Sequence, residues 1–299
     1  MQIKVLGSAA GGGFPQWNCG CANCRLAWNG DSRVKPRTQS SLAISADGIS
    51  WLLLNASPDL RQQILATPAL HPSEAGRSSP IRGVVLTNGD VDHVAGLLVL
   101  RESQAFDLFA SPFILAELAK NTLFGVLNPD LVKQHKIHVD ADFSPVDGLR
   151  IKAIAVPGKV PLYAEAANIA IGEESETTIG LEIRSGNARA YYIPGCARLT
   201  DGLRQRIAGA DLLLFDGTTF TDDEMVAQHL SSKTAWRMGH IAMSGAQGSL
   251  AGWAQVPVAA KVFIHINNTN PVLVEGSSAR RSVEAAGWQI AEDGMEIDL

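Results

Sequence analysis

Gly83-Val84-Val85-Leu86-Thr87-Asn88-Gly89-Asp90-Val91-Asp92-His93, followed by the apolar helix start Val94-Ala95-Gly96-Leu97-Leu98, is the stretch from which the rest of the chain can be read. A short aliphatic and β-branched run without polar alternation reads as a strand covered on both faces. It breaks at Asn88-Gly89 and resumes with helical spacing over His93–Arg101. The end of a buried strand is where α/β folds place ligands. Asp92 and His93 put a carboxylate and an imidazole there, the mixed donor set used for Zn, Fe or Mn.

Two further apolar runs end the same way: Leu212-Leu213-Leu214-Phe215 stops at Asp216, and Val262-Phe263-Ile264 stops at His265. Singly, Asp92 could be a helix N-cap and His93 or His265 a hydrogen-bonded core histidine. Two Asp and two His on three strand ends instead point to an active metal held by Asp92, His93, Asp216 and His265.

Around these runs lie other strand-like segments at Ile3–Leu6, Ser41–Ser45, Trp51–Asn55, Ile151–Val156, Thr178–Ile183 and Arg189–Ile193. Helical patterns fall at Ser111–Thr122, Leu199–Ala208, Ser244–Ala254 and Ser277–Ala286, the last stopped by Gly287. The expectation is an α/β fold in which two sheets pack together and helices face them. No Pro/Gly/Ser-rich linker divides the chain, so residues 1–299 are read as one domain. The acidic stretch Gly172-Glu173-Glu174-Ser175-Glu176 reads as a solvated turn.

Composition limits the partners. Hydrophobic residues make up 46% of the 299, enough for a sizeable core, and the net charge is -5 with Lys and Arg scattered. That distribution lacks the basic footprint of a nucleic-acid binder. No apolar run approaches the ~20 residues needed to span a bilayer. Met1-Gln2-Ile3-Lys4-Val5-Leu6 lacks the basic and apolar regions of a secretory signal, so a cytoplasmic location is expected.

Cys19, Cys21 and Cys24 form a CxCxxC cluster whose thiolates can converge on one ion, giving a structural zinc loop over about residues 15–30. Its fourth ligand is open by spacing among His265, Asn268, His71, His135, His138 and His229. Cys196 has no activating neighbours and reads as a buried small hydrophobe. The run Gly11-Gly12-Gly13 lacks the spacing of a phosphate cradle and reads as a close-approach loop. His240, in Met238-Gly239-His240-Ile241, is either an acid or base beside the metal or a capping residue.

These strand-end patterns resemble the metallo-β-lactamase superfamily, whose HxHxDH motif follows a strand and whose later Asp and His complete a two-metal site. Here the motif is Asn88-Gly89-Asp90-Val91-Asp92-His93, with the first two histidines replaced, and Val156-Pro157-Gly158-Lys159 stands where the middle histidine is expected. Leu214-Phe215-Asp216-Gly217-Thr218 matches the segment carrying the bridging acid, and Ile264-His265 the final histidine. The resemblance implies an αββα sandwich of two mixed sheets flanked by helices. Leu6 to Cys21, the altered motif, and Phe263-Ile264-His265-Ile266-Asn267-Asn268-Thr269-Asn270-Pro271 are similar to a narrower family within it, which acts in biosynthesis of the redox cofactor pyrroloquinoline quinone (PQQ).

That similarity implies a substrate derived from the Glu and Tyr of a small precursor peptide, with other proteins of the PQQ pathway as partners and a homodimer among the allowed assemblies. It also implies a structural zinc on Cys19, Cys21 and Cys24, and it places Asn268 at the fourth position. Losing the imidazoles of one site disfavours two-metal hydrolysis. What survives is close to the 2-His-1-carboxylate set of Fe(II)-dependent oxygen chemistry, although Zn or Mn also suits it. The expected reaction is hydroxylation of the tyrosine-derived ring, with His240 and Asp90 either supporting the metal ligands from behind or transferring protons. A carrier that passes PQQ or its precursor toward the periplasm, and a residual zinc hydrolase, are the alternatives.

Overall fold

The strands read as unbroken apolar runs because each is covered on both sides. In the computed structural model, which describes residues 1–165 and 170–299, Leu42, Ile44, Leu52, Leu54 and Val85 enter one apolar layer together with Leu181, Ile183, Leu212, Leu214 and Ile264. Their neighbours Ala43, Trp51, Leu53 and Val84 point the other way, against Leu60, Leu97, Ile114 and Leu118 of helical segments. On the far side, Tyr191, Ile193, Leu213, Phe215 and Phe263 meet Leu203, Ile207, Trp253 and Val283. Full burial of each Leu, Ile or Phe contributes roughly 1.5–3 kcal/mol. These three layers give the loops at the strand ends a rigid base.

The strands in chain order are β1 (Gln2–Gly7), β2 (Ser41–Ser45), β3 (Trp51–Leu54), β4 (Ile81–Val85), β5 (Phe106–Ala110), β6 (Val132–Lys136), β7 (Asp142–Phe143), β8 (Arg150–Gly158), β9 (Glu173–Ser185), β10 (Ala188–Ile193), β11 (Ala210–Asp216), β12 (Val258–Ile264), β13 (Trp288–Ile290) and β14 (Glu296–Asp298). They form two seven-stranded sheets, ordered β14-β1-β2-β3-β4-β5-β6 and β13-β12-β11-β10-β9-β8-β7. Both are mixed. β3 to β6 run parallel in the first, and β10 to β13 in the second. This is the expected αββα sandwich.

Several local expectations are corrected. Gly172–Glu176 is not a turn: from Glu173 the backbone joins β9 and pairs with Val156, Pro157 and Gly158 of β8, while the glutamates stay in solvent. The pattern at His93–Arg101 becomes a short α-helix, Val91–Val94, continued by a 3-10 segment, Ala95–Arg101. Asp92 is therefore inside the helix and is not its N-cap, which is Asp90. Only Ser249–Gly252 is helical within Ser244–Ala254. β6, with sequence Val-Lys-Gln-His-Lys, escapes pattern reading because it is a largely exposed edge strand.

Candidate metal centre

The strand ends meet at one end of the sandwich. Past β4, Leu86 and Thr87 stay buried and Asn88 bridges to Thr178, which anchors the turn to the second sheet. The Asn88 Oδ1 accepts the backbone N–H of Asp90 at 3.0 Å and bonds His93 Nδ1 at 2.7 Å. An oxygen that already accepts one N–H can only accept from His93, so Nδ1 carries the proton and Nε2 presents a lone pair. That Nε2 is buried with no hydrogen-bond partner among the described residues. Burial pushes the His93 imidazole down to about 4, with the Asp92 charge opposing, so the ring is neutral at physiological pH.

His265 reaches the same point from β12. Its φ of 60° is left-handed, an unusual backbone conformation for a non-glycine residue and of a kind that gathers at functional sites. Its Nε2 lies 3.0 Å from Asp92 Oδ2, and the same carboxylate oxygen is 3.8 Å from His93 Nε2. Thr218 Oγ1 sits 2.9 Å from His265 Nδ1 and 2.7 Å from Asp216 Oδ1. Its single proton goes to the carboxylate, so His265 donates from Nδ1 to the hydroxyl and from Nε2 to the Asp92 carboxylate. Burial opposes charge on His265, yet the bond to Asp92 and the nearby carboxylates hold its pKa above the usual histidine value. Burial would raise Asp92, but the two histidines hold it well below the usual carboxylate range. Asp90 is pushed up by burial and then by the Asp92 charge.

Asp216 is differently placed. Its Oδ1 accepts from the Thr218 backbone N–H and hydroxyl at 3.0 and 2.7 Å, and its Oδ2 accepts from Cys196 N–H at 2.9 Å and His240 Nδ1 at 2.7 Å. The four residues read as one ligand set thus divide into two groups that share His265: Asp92, His93 and His265, and Asp216, His240 and His265. His240 stacks on His265 at 5.2 Å between ring centres and follows the left-handed Gly239 that ends the helix Ala235–Met238. It stands beside the first group and caps no helix. Above these side chains is a cavity of about 290 Å³, whose lining includes Asn88, Asp90, Asp92, His240 and His265. Gly11 lies over the Asp92 carboxylate, and Gly12 and Gly13 take left-handed conformations, so the glycine run is a close-approach loop.

An ion fits the first group. The buried Nε2 of His93 has no partner among the described residues, and an ion taking the place of the Nε2 proton of His265 would lie between that nitrogen and the Asp92 carboxylate. The cysteines make a second, closed arrangement. Cys21 caps the helix Ala22–Trp28, and Asn268 Nδ2 lies 3.1, 3.7 and 3.3 Å from the sulfurs of Cys19, Cys21 and Cys24. Half a turn of that amide presents Oδ1 to an ion in the same place. His71, His135 and His138 lie elsewhere, bonded to Ile64 O, Asp107 and Glu176, and neither they nor His229 join this group. Burial pushes the Cys21 thiol up to about 12, so ion binding there must displace a proton. Cys196 is fully buried, as expected of a small hydrophobe. Thr218 and Asn88 escaped sequence reading as orienting groups, because neither residue type announces a metal.

The model of the beta-lactamase superfamily domain matches residues 50–266. The coenzyme PQQ synthesis protein B of Methylobacterium sp. (strain 4-46) is 58% identical over 299 residues, covering all of both chains. That of Xanthomonas campestris pv. campestris (strain B100) is 52% identical over 300 residues, again covering all of both. Among solved structures, the 1.98 Å crystal structure of Zn(2+)-bound PqqB from Methylobacterium extorquens superposes with a TM-score of 0.99 at 58% identity, over the full length of both chains. A diphosphatase of the PhnP family shares the fold, with a TM-score of 0.70 at 20% identity over 100% of this chain and 97% of its own.

Proposed function

The chain belongs to the family of coenzyme PQQ synthesis protein B, within the beta-lactamase superfamily, and from that premise we propose that it is an iron-dependent hydroxylase of the tyrosine-derived ring of a PQQ precursor. The observation that carries this reading is the unpartnered, buried Nε2 of His93 beside Asp92 and His265, a set of two histidines and one carboxylate under an open cavity. The reaction replaces a ring C–H by C–OH. One atom of O2 enters the product, and the other leaves as water with two electrons and two protons from an external reductant.

A ferrous ion held by Asp92, His93 and His265 would supply the activation of O2. The chain's own part is preorganisation. Asn88 fixes the His93 tautomer, and Thr218 fixes that of His265. Asp216 holds His240 by Nδ1, leaving its Nε2 free to take a proton from the phenol, and Asp90, its acidity weakened by burial, is the second proton-transfer group. Cys19, Cys21, Cys24 and Asn268 hold a structural zinc in this reading. The protein works in the cytoplasm as one domain, in contact with other proteins of the pathway. No helix among the described residues is long and apolar enough to cross a membrane.

The test is an assay of purified protein with a Glu-Tyr-containing precursor, loaded with Fe(II) or Zn, in air or under argon. Hydroxylated product and O2 uptake are expected only with Fe(II) in air. Equal product under argon refutes the hydroxylase and favours a zinc hydrolase; tight binding of PQQ without turnover favours the carrier.

A further inference from the structure

The cavity over the histidines is unevenly charged. Its lining carries charges of both signs, the carboxylates of Asp90 and Asp92 and the lysines Lys159 and Lys233. Lys159 pairs with Glu165 at 3.0 Å, and Glu165 also takes a two-point bond from Arg237, at 3.2 and 2.9 Å. One carboxylate thus serves two cations, and Lys233 has no acidic partner among the described residues. Lys233 is not a loose surface lysine. Its backbone N–H is tied to Ser231 Oγ at 3.1 Å, and the following Thr234 caps the helix Ala235–Met238, so its main chain is anchored beside the cavity it lines.

We infer that Lys233, supported by Lys159, is a carboxylate clamp that binds the substrate by an acid group next to its phenol ring. An ammonium without an acidic partner gains a charge-assisted bond when a carboxylate arrives, and a neutral analogue forfeits it. An acid group held by these lysines leaves the ring to occupy the part of the cavity lined by Asp92 and His265. The clamp therefore selects an aromatic amino acid with a free carboxylate and sets which end enters first. It rests on the proposed reading for the identity of the ring, but binding alone can test it.

Zn-loaded protein, which cannot turn over by an oxygen route, is titrated by calorimetry with the dipeptide Glu-Tyr and with Glu-tyramine, which lacks the α-carboxylate. Wild type should prefer Glu-Tyr by about tenfold or more, equivalent to one charge-assisted bond. Lys233→Met should bring the ratio near one, Lys233→Arg should keep most of it, and both should retain zinc content and melting temperature. An unchanged ratio in Lys233→Met, no preference in wild type, or no binding of Glu-Tyr overturns the clamp. If the preference depends on Lys233 yet Fe(II)-loaded protein forms no hydroxylated product, the hydroxylase reading fails and the clamp stands.

Discussion

Two groups of metal-ligating side chains hang from the same short loop, three residues apart, and differ in what they leave open. At His265 the donors face a cavity of about 290 Å³, and the Nε2 atoms of His93 and His265 converge on one carboxylate oxygen of Asp92. At Asn268 three sulfurs close around an amide, with Cys21 and Cys24 buried and the amide filling the fourth direction. Closed tetrahedral sites hold a fold together, whereas sites with an open position do chemistry. The contrast teaches that one loop can serve both ends because the backbone, left-handed at His265, turns successive side chains to opposite sides.

The strongest way to break the comparison is His93→Ala. It should remove one bound ion per chain by elemental analysis and abolish turnover, while the cysteine zinc stays. Cys24→Ala should do the opposite: destabilise the fold on the order of several kcal/mol, as loss of a structural zinc does, visible as a lower melting temperature, with the active ion retained wherever the protein is folded. If the two variants exchanged phenotypes, the open site would be the structural one.

Glu224 lies under the same loop and sharpens the picture. It accepts from Thr269 Oγ1 at 2.5 Å and from Phe220 N–H at 2.7 Å, and burial pushes its carboxyl up to about 7 from 4.5. Its folded value is raised, so its contribution to stability is full below pH 4.5 and is lost as pH rises through about 7. The span corresponds to on the order of 3 kcal/mol. Glu224→Gln should flatten this part of the pH–stability curve in chemical denaturation. A curve of unchanged slope would show that another group is responsible. The smallest effect is expected for Asn88→Ala, which frees the His93 ring without removing a ligand. Weaker active-site metal binding by about 10–100-fold should follow, measured by chelator competition, with the cysteine zinc unaffected.

Much of the fold and of the metal centre is legible in the order of residues. Buried strands read as apolar runs because both faces are covered, and a polar residue at the end of such a run stands out, as Asp92, Asp216 and His265 do. Exposed strand segments are not legible: the side chains of the edge strand β6 and of the start of β9 are mostly in solvent, so no hydrophobic pattern marks a backbone held by its ladder alone. Asn88 reads in sequence as a ligand lost. In space it is the oxygen that orients His93, a role set by a 2.7 Å contact that residue type cannot announce.

By itself, then, the order of residues determined the layered α/β architecture, the two clusters of metal donors and the family, since each depends on local periodicity or on motifs contiguous in the chain. Tertiary structure alone decided that Asp216 bonds His240 and Thr218, how near the Asn268 amide comes to each of the three sulfurs, and that Lys233 lines the cavity with no acidic partner among the described residues. Those outcomes depend on distances between segments far apart in the sequence, and a hydrogen bond or an ion's coordination is decided within a few tenths of an ångström.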